Sequence, residues 1–227
     1  MTQPPAITSF DFETEPVNQK ALIAAWLPEI EAVMRSREHD DRSTAFIIAI
    51  MRLRSSSKTA DKIKLGAVIK LAGYSRSTFF RLFGNYNSFL LDAYQLICLL
   101  AIDVYAKHLK EQQLNVADFS KFTTDICYAA VCTIPREILK ILWYENAISH
   151  RKFHPHLSEL TSVIFSYLTQ NAQTKHLKID VDELDGVLRT LDLELLHARL
   201  EDDSFWGSPL YYKKIKKMLY GYLASCA

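Results

Sequence analysis

Residues 58–87, KTADKIKLGAVIKLAGYSRSTFFRLFGNYN, decide how the rest of the chain is read. Leu65, Val68, Ile69 and Ala72 recur at i, i+3, i+4 and i+7, the apolar stripe of a short amphipathic helix. Gly73 follows at once, a residue that takes a left-handed backbone without steric cost and so stops a helix. Ser75 is placed to cap a second helix, its hydroxyl accepting a backbone N–H that every helix start leaves over. Phe79 and Phe83, one turn apart, bury one side of that helix. Arg76, Ser77, Thr78 and Arg81 stay on the other. This is the pattern of a helix-turn-helix, whose second helix lies in the DNA major groove.

The charge distribution points the same way. The formal net charge of the chain is only +1. Yet residues 42–86 hold nine basic side chains (Arg42, Arg52, Arg54, Lys58, Lys62, Lys64, Lys70, Arg76 and Arg81) against one acid, Asp61, a local net of +8. Residues 1–41 carry −5 and residues 87–227 carry −2. Phosphate binding depends on local basic density, so this segment outweighs the near-neutral total.

The rest of the chain reads as helix after helix. Residues 1–17 hold three of the seven prolines and little periodicity, and are expected to form a loose arm. Leu22, Ile23, Trp26, Leu27, Ile30, Val33 and Met34 follow at helical spacing, with an interruption expected at Pro28. Phe46, Ala49, Ile50 and Leu53 mark a helix over 42–56. Asn85 or Asn87 caps a long apolar helix running to about residue 112. Further helices are expected over 117–133, from Pro135 through Trp143, from Leu157 through Leu168, over 182–201 and over 210–224, with a loop over 170–180. No stretch alternates with a period of two for long enough to make a strand, so the fold class is all-α. Three parts are expected: an N-terminal extension over 1–41, a three-helix DNA-binding head over 42–90, and a helical bundle over 91–227.

A head of three helices, a long fourth helix and further helices behind it make the chain resemble the TetR family of transcriptional regulators. The resemblance is carried by Ala72-Gly73-Tyr74-Ser75-Arg76-Ser77-Thr78-Phe79-Phe80-Arg81-Leu82-Phe83 and extends over roughly residues 42–94. Beyond that it is one of helix number and length. The sequence departs from the family pattern at Phe80, commonly Tyr, at Tyr86, commonly Lys, and at Ile69, commonly Ala. The resemblance implies a ligand-responsive repressor, a homodimer paired through its last two helices, binding palindromic double-stranded DNA. On that pattern Ser75, Arg76, Ser77, Thr78 and Arg81 serve the groove, while Lys58, Lys62, Lys64 and Tyr86 hold phosphates. It also implies a pocket for a small-molecule effector among Tyr94, Cys98, Tyr105, Phe122, Tyr128, Trp143, Phe165 and Tyr167, with Glu145 and His108 as candidates for its polar end.

Other chemistries find little footing. Glycine-rich phosphate loops, G-x-S-x-G elbows and H-E-x-x-H are absent, so no catalytic set, cofactor or enzymatic activity is expected. His150, His154 and His156 have a spacing that suits a metal, but only Glu159 joins them, and no metal site is expected. Cys98, Cys127, Cys132 and Cys226 show no C-x-x-C spacing and read as buried free thiols. Lys213, Lys214, Lys216 and Lys217 read as a solvated helix face. There is no run of 18 apolar residues, and the opening MTQPPAITSFDFETE lacks a basic stretch before an apolar one, so a cytoplasmic protein without a membrane span is expected. One alternative stays open: a helical interaction protein on the same scaffold, whose head no longer reads DNA.

Overall fold

A computed structural model of the chain describes residues 19–36, 41–56, 63–132, 138–140, 155–201 and 208–227. Among these, all regular structure is helical and there is no strand. The order is α1 Gln19–Ser36, α2 Asp41–Ser56, α3 Leu65–Ala72, α4 Arg76–Phe83, α5 Tyr86–Lys110, α6 Val116–Cys132, α7 Pro155–Gln170, α8 Val181–Glu201 and α9 Pro209–Ser225. The expected loop follows α7. Of the helix expected from Pro135 through Trp143, only 138–140 is described, helical and with Ile138 and Leu139 buried.

The turn between α3 and α4 is built as its residues dictate. Gly73 sits at φ +77°, its N–H donating to the Ile69 carbonyl at 3.2 Å. Ser75 is extended, and its hydroxyl accepts the Thr78 N–H at 3.1 Å. Gly84 ends α4 at φ +70°, and Asn85 caps α5 by accepting the Ser88 N–H at 2.9 Å. Behind these caps lies an aromatic core. Phe79 is fully buried, edge-on to Phe46 of α2 at 5.3 Å and to Phe89 of α5 at 5.1 Å, and Phe83 meets Phe89 at 4.8 Å.

The expected interruption at Pro28 does not occur, for α1 runs through it. Pro28 and Ala24 both lie on the exposed side, where the carbonyl that loses its N–H partner can turn to water. The other sides are held by packing. Ile30 and Met34 are buried, and Trp26 stacks on His108 of α5 at 5.3 Å. Glu31 accepts two bonds from Arg52 of α2, at 2.7 and 2.5 Å. Glu29 accepts from Lys107 at 2.8 Å and meets His108 at 3.0 Å, and these hydrogen bonds hold its carboxyl below the ordinary glutamate range.

Helix α5 runs through the centre, with nine buried residues from Phe89 to Leu109. By length and composition it would also suffice to cross a bilayer, a test that the core helix of a folded domain passes as well. Around it α6, α7, α8 and α9 continue the same apolar core, adding Leu184, Leu188, Leu195, Ile215 and Leu219. Polar bonds pin the connections: Asn171 donates to the Leu114 carbonyl at 2.6 Å, and the Lys178 N–H to the Cys226 carbonyl at 2.8 Å. The lysine run of α9 is only partly a solvated face. Lys216 is fully buried with its ammonium 5.7 Å from the Tyr212 ring, and Lys214 pairs with Glu194 at 2.6 Å. One turn of helix separates Lys216 from the buried Tyr212 and Leu219, so the apolar stripe carries it inward.

Replacing Phe79 by Ala removes the ring that joins α2, α4 and α5 and is expected to cost about 3–5 kcal/mol of stability in urea unfolding. Phe80→Ala, one residue along but exposed, is expected to stay within about 1 kcal/mol of the parent chain.

Candidate nucleic-acid interface

Helix α4 has two different sides. Phe79 and Phe83 anchor one of them in the aromatic core. Arg76, Ser77, Phe80 and Arg81 are exposed on the other, with Thr78 half-buried between the two. The Ser75 hydroxyl lies 2.8 Å from that of Ser77 and 2.9 Å from that of Thr78, so three of the expected groove residues form one hydrogen-bonded cluster at the helix start. The Arg76 guanidinium lies 5.5 Å from the centre of the Phe80 ring, a distance at which a cation is drawn to an aromatic face. In the sequence Phe80 stands out only as a departure from the commoner Tyr. Its exposure beside Arg76 makes it part of this surface.

The expected phosphate contacts divide. Lys64 is exposed at the start of α3, and its carbonyl accepts the Ala67 N–H at 2.9 Å. Lys58 and Lys62 lie outside the described residues. Tyr86 is half-buried, and its hydroxyl donates to the Ile63 carbonyl at 2.7 Å. A hydroxyl has a single hydrogen, so a phosphate contact donated by Tyr86 has to compete with that bond. Arg52, counted with the basic segment, is neutralised by Glu31.

Of the residues expected around an effector, Tyr105 lies close enough to Tyr167 and to Cys127 to feel their charge, and the described aromatics are packed against near neighbours. Tyr105 bonds to Thr123 at 2.7 Å and stacks on Phe122 at 5.6 Å. Tyr128 packs edge-on to Tyr212 at 5.7 Å. Tyr167 stacks on Phe119 at 5.5 Å and accepts the Leu114 N–H at 2.9 Å. Phe165 is half-buried, while Trp143 and Glu145 lie outside the described residues. His108 stacks on Trp26 and meets Glu29, so it faces α1. A cleft of about 500 Å³ opens elsewhere, between α1, α2 and α3, lined by Met34, Arg35, Asp41, Ile48, Leu71 and Tyr74 among others.

Tyr94 and Cys98 of α5 come together with Cys127 of α6 and Asp192 of α8. Burial pushes both thiols up to about 12, far from the thiolate form that reacts. Asp192 is half-exposed as a residue, but its Oδ2 is buried, and burial raises its carboxyl to about 7 against a smaller pull from Arg189. Sequence reasoning missed Asp192. Its only signal is the position four residues before the buried Leu196 and four after the buried Leu188, on the inward side of α8. Among the described residues no three His, Cys, Asp or Glu side chains are grouped to hold a metal ion. His156 is buried edge-on to Tyr94 at 5.8 Å, and His150 and His154 are outside the described residues.

In comparisons with protein-family models, curated proteins and solved structures, nothing matches this chain.

Because the folded chain holds the Asp192 proton more tightly than the unfolded one, stability is expected to fall as pH rises from about 4 to about 7, and to level off above. Asp192→Asn should flatten that slope in unfolding midpoints followed across pH. It should also leave the variant the more stable protein at pH 8, by on the order of 4 kcal/mol at most.

Proposed function

We propose that this protein is a TetR-like transcriptional regulator: a dimeric, ligand-responsive repressor that binds palindromic double-stranded DNA in the cytoplasm. It acts by binding, not by catalysis. Helices α2, α3 and α4 are its reading head, and the helices from α5 onward are the body that receives an effector and pairs two copies.

A single observation carries this reading. Helix α4 starts after a capping serine, is fixed from behind by Phe79, and turns Arg76, Ser77 and Arg81 outward on a segment rich in positive charge. Anchoring on one side leaves the other rigid and free to enter a groove. Arg76 and Arg81 are long enough to place a guanidinium against the paired acceptors of guanine, which contributes about 1–3 kcal/mol of discrimination per good pair. Phe80 offers an apolar face of the kind that meets a thymine methyl. Lys64 and backbone N–H groups at the helix starts supply register without sequence preference. Pairing through α8 and α9 is supported by the apolar side chains they expose, Leu193 at 40% and Leu210 at 72%. An effector that prefers a head spacing unable to meet two successive grooves shifts the population off DNA.

The alternative, an interaction protein on the same scaffold, draws support from Tyr86, whose donor is already committed, and from Phe80, which has none. Selection of duplexes from a random pool by the purified chain separates the two. A recovered palindrome supports the regulator, and equal weak binding of every duplex, with no palindrome, supports the alternative. On a recovered site Arg81→Ala is expected to lose about 5–150-fold in affinity and to relax preference at one base pair. Lys64→Ala should instead weaken binding to all sequences alike and reduce the slope of log affinity against log salt by about one.

A further inference from the structure

The N-terminal helix α1 lies outside the three helices of the proposed head, yet it is held on both sides. Glu29 and Glu31 are two residues apart, and two steps of about 100° each turn their side chains to nearly opposite faces of a helix. Glu31 reaches α2, where Arg52 clasps it with two bonds at 2.7 and 2.5 Å. Glu29 reaches the far end of α5, where Lys107 donates at 2.8 Å and His108 lies at 3.0 Å. Apolar contacts repeat the division. Trp26 stacks on His108 and meets Phe122 of α6 at 6.5 Å, while Met34 lines a cleft together with Ile48 and Arg52 of α2.

At its near end α5 is joined to the head directly, by Phe89 against Phe79 and Phe83 and by the Tyr86 bond to Ile63. Lys107 lies 21 residues further on, about 30 Å along the helix axis. Head and α5 therefore meet at one end and are tied again through α1 near the other, and an angle closed by a third member cannot open unless that member lets go. We propose that α1 is a two-sided brace that sets the angle between head and body, with the Glu31–Arg52 and Glu29–Lys107/His108 contacts as its two grips. Its consequence for regulation rests on the regulator reading. In a dimer that angle sets the distance between the two heads, so releasing either grip frees the spacing.

The two grips act in series, and this gives the brace a signature. Nitroxides are attached to ketone-bearing amino acids introduced at positions 70 and 175, both exposed lysines in the parent, so that the native thiols are left alone. Pulsed electron-spin measurements on the full chain, mixed with an excess of unlabelled chain so that only distances within one copy are read, then give the head-to-body distance. The parent is expected to give one narrow peak, and Glu29→Gln and Glu31→Gln should each lose it for a broad distribution. The double variant should be no broader than either single one, because a member in series is released by its first failure. Exchanging the partners, Glu31→Arg with Arg52→Glu, should restore the narrow peak. Circular dichroism at the parent level shows that each variant read is folded. Single variants as narrow as the parent, or a double variant whose broadening is the sum of the two, overturn the brace. The readout needs no DNA, so failure to bind duplexes overturns the regulator and leaves the brace standing.

Discussion

The edge-to-face contact of Phe79 with Phe46 and Phe89 is the constraint on which the N-terminal half depends. Short helices of eight residues, such as α3 and α4, have little stability of their own, since a helix pays its nucleation cost over few bonds. What fixes α4 is a buried ring that meets one helix before it and one after it. Burial of such a ring stabilises by a few kcal/mol, and its edge-to-face contacts, being directional, also set which residues point away. The orientation of Arg76 and Arg81 is thus a by-product of where Phe79 goes.

Much of this was legible from residue chemistry. Gly73, Ser75 and Asn85 are punctuation with a physical mechanism, and the helices begin and end beside them. The stripe Leu65, Val68, Ile69, Ala72 does turn inward, with Val68 fully buried. Gly84 was passed over because periodicity marks faces, whereas a left-handed residue marks only a joint. The expected interruption at Pro28 fails for want of context: a proline breaks a helix when the carbonyl four residues earlier, left without its N–H, is trapped, and on the exposed side that holds Ala24 and Pro28 it is not.

The residues of the body were harder to place, for one reason. A helical pattern tells which side chains face inward but not which of them meet. Tyr105, Tyr128 and Tyr167 all turn inward or partly so, yet each is engaged by a different neighbour, Thr123, Tyr212 and Phe119. Conversely, Asp192 looked like any acid on an amphipathic helix. Only the approach of α5 and α6 makes it a buried group facing Tyr94, Cys98 and Cys127. Partner choice is a property of packing between elements distant in sequence, and no window along the chain contains it.

The buried Lys216 changes how the last helix is to be weighed. Four lysines in five positions suggest a strand of like charges that would push a second copy away. In the folded chain one of the four is enclosed beside Tyr212, a second is matched by Glu194, and Lys213 is half-covered. What α9 shows to its surroundings is a milder field than its composition implies, interrupted by the bare side chain of Leu210. Were two such helices to be laid against each other, the electrostatic toll would be nearer that of an ordinary mixed surface than that of a polycation.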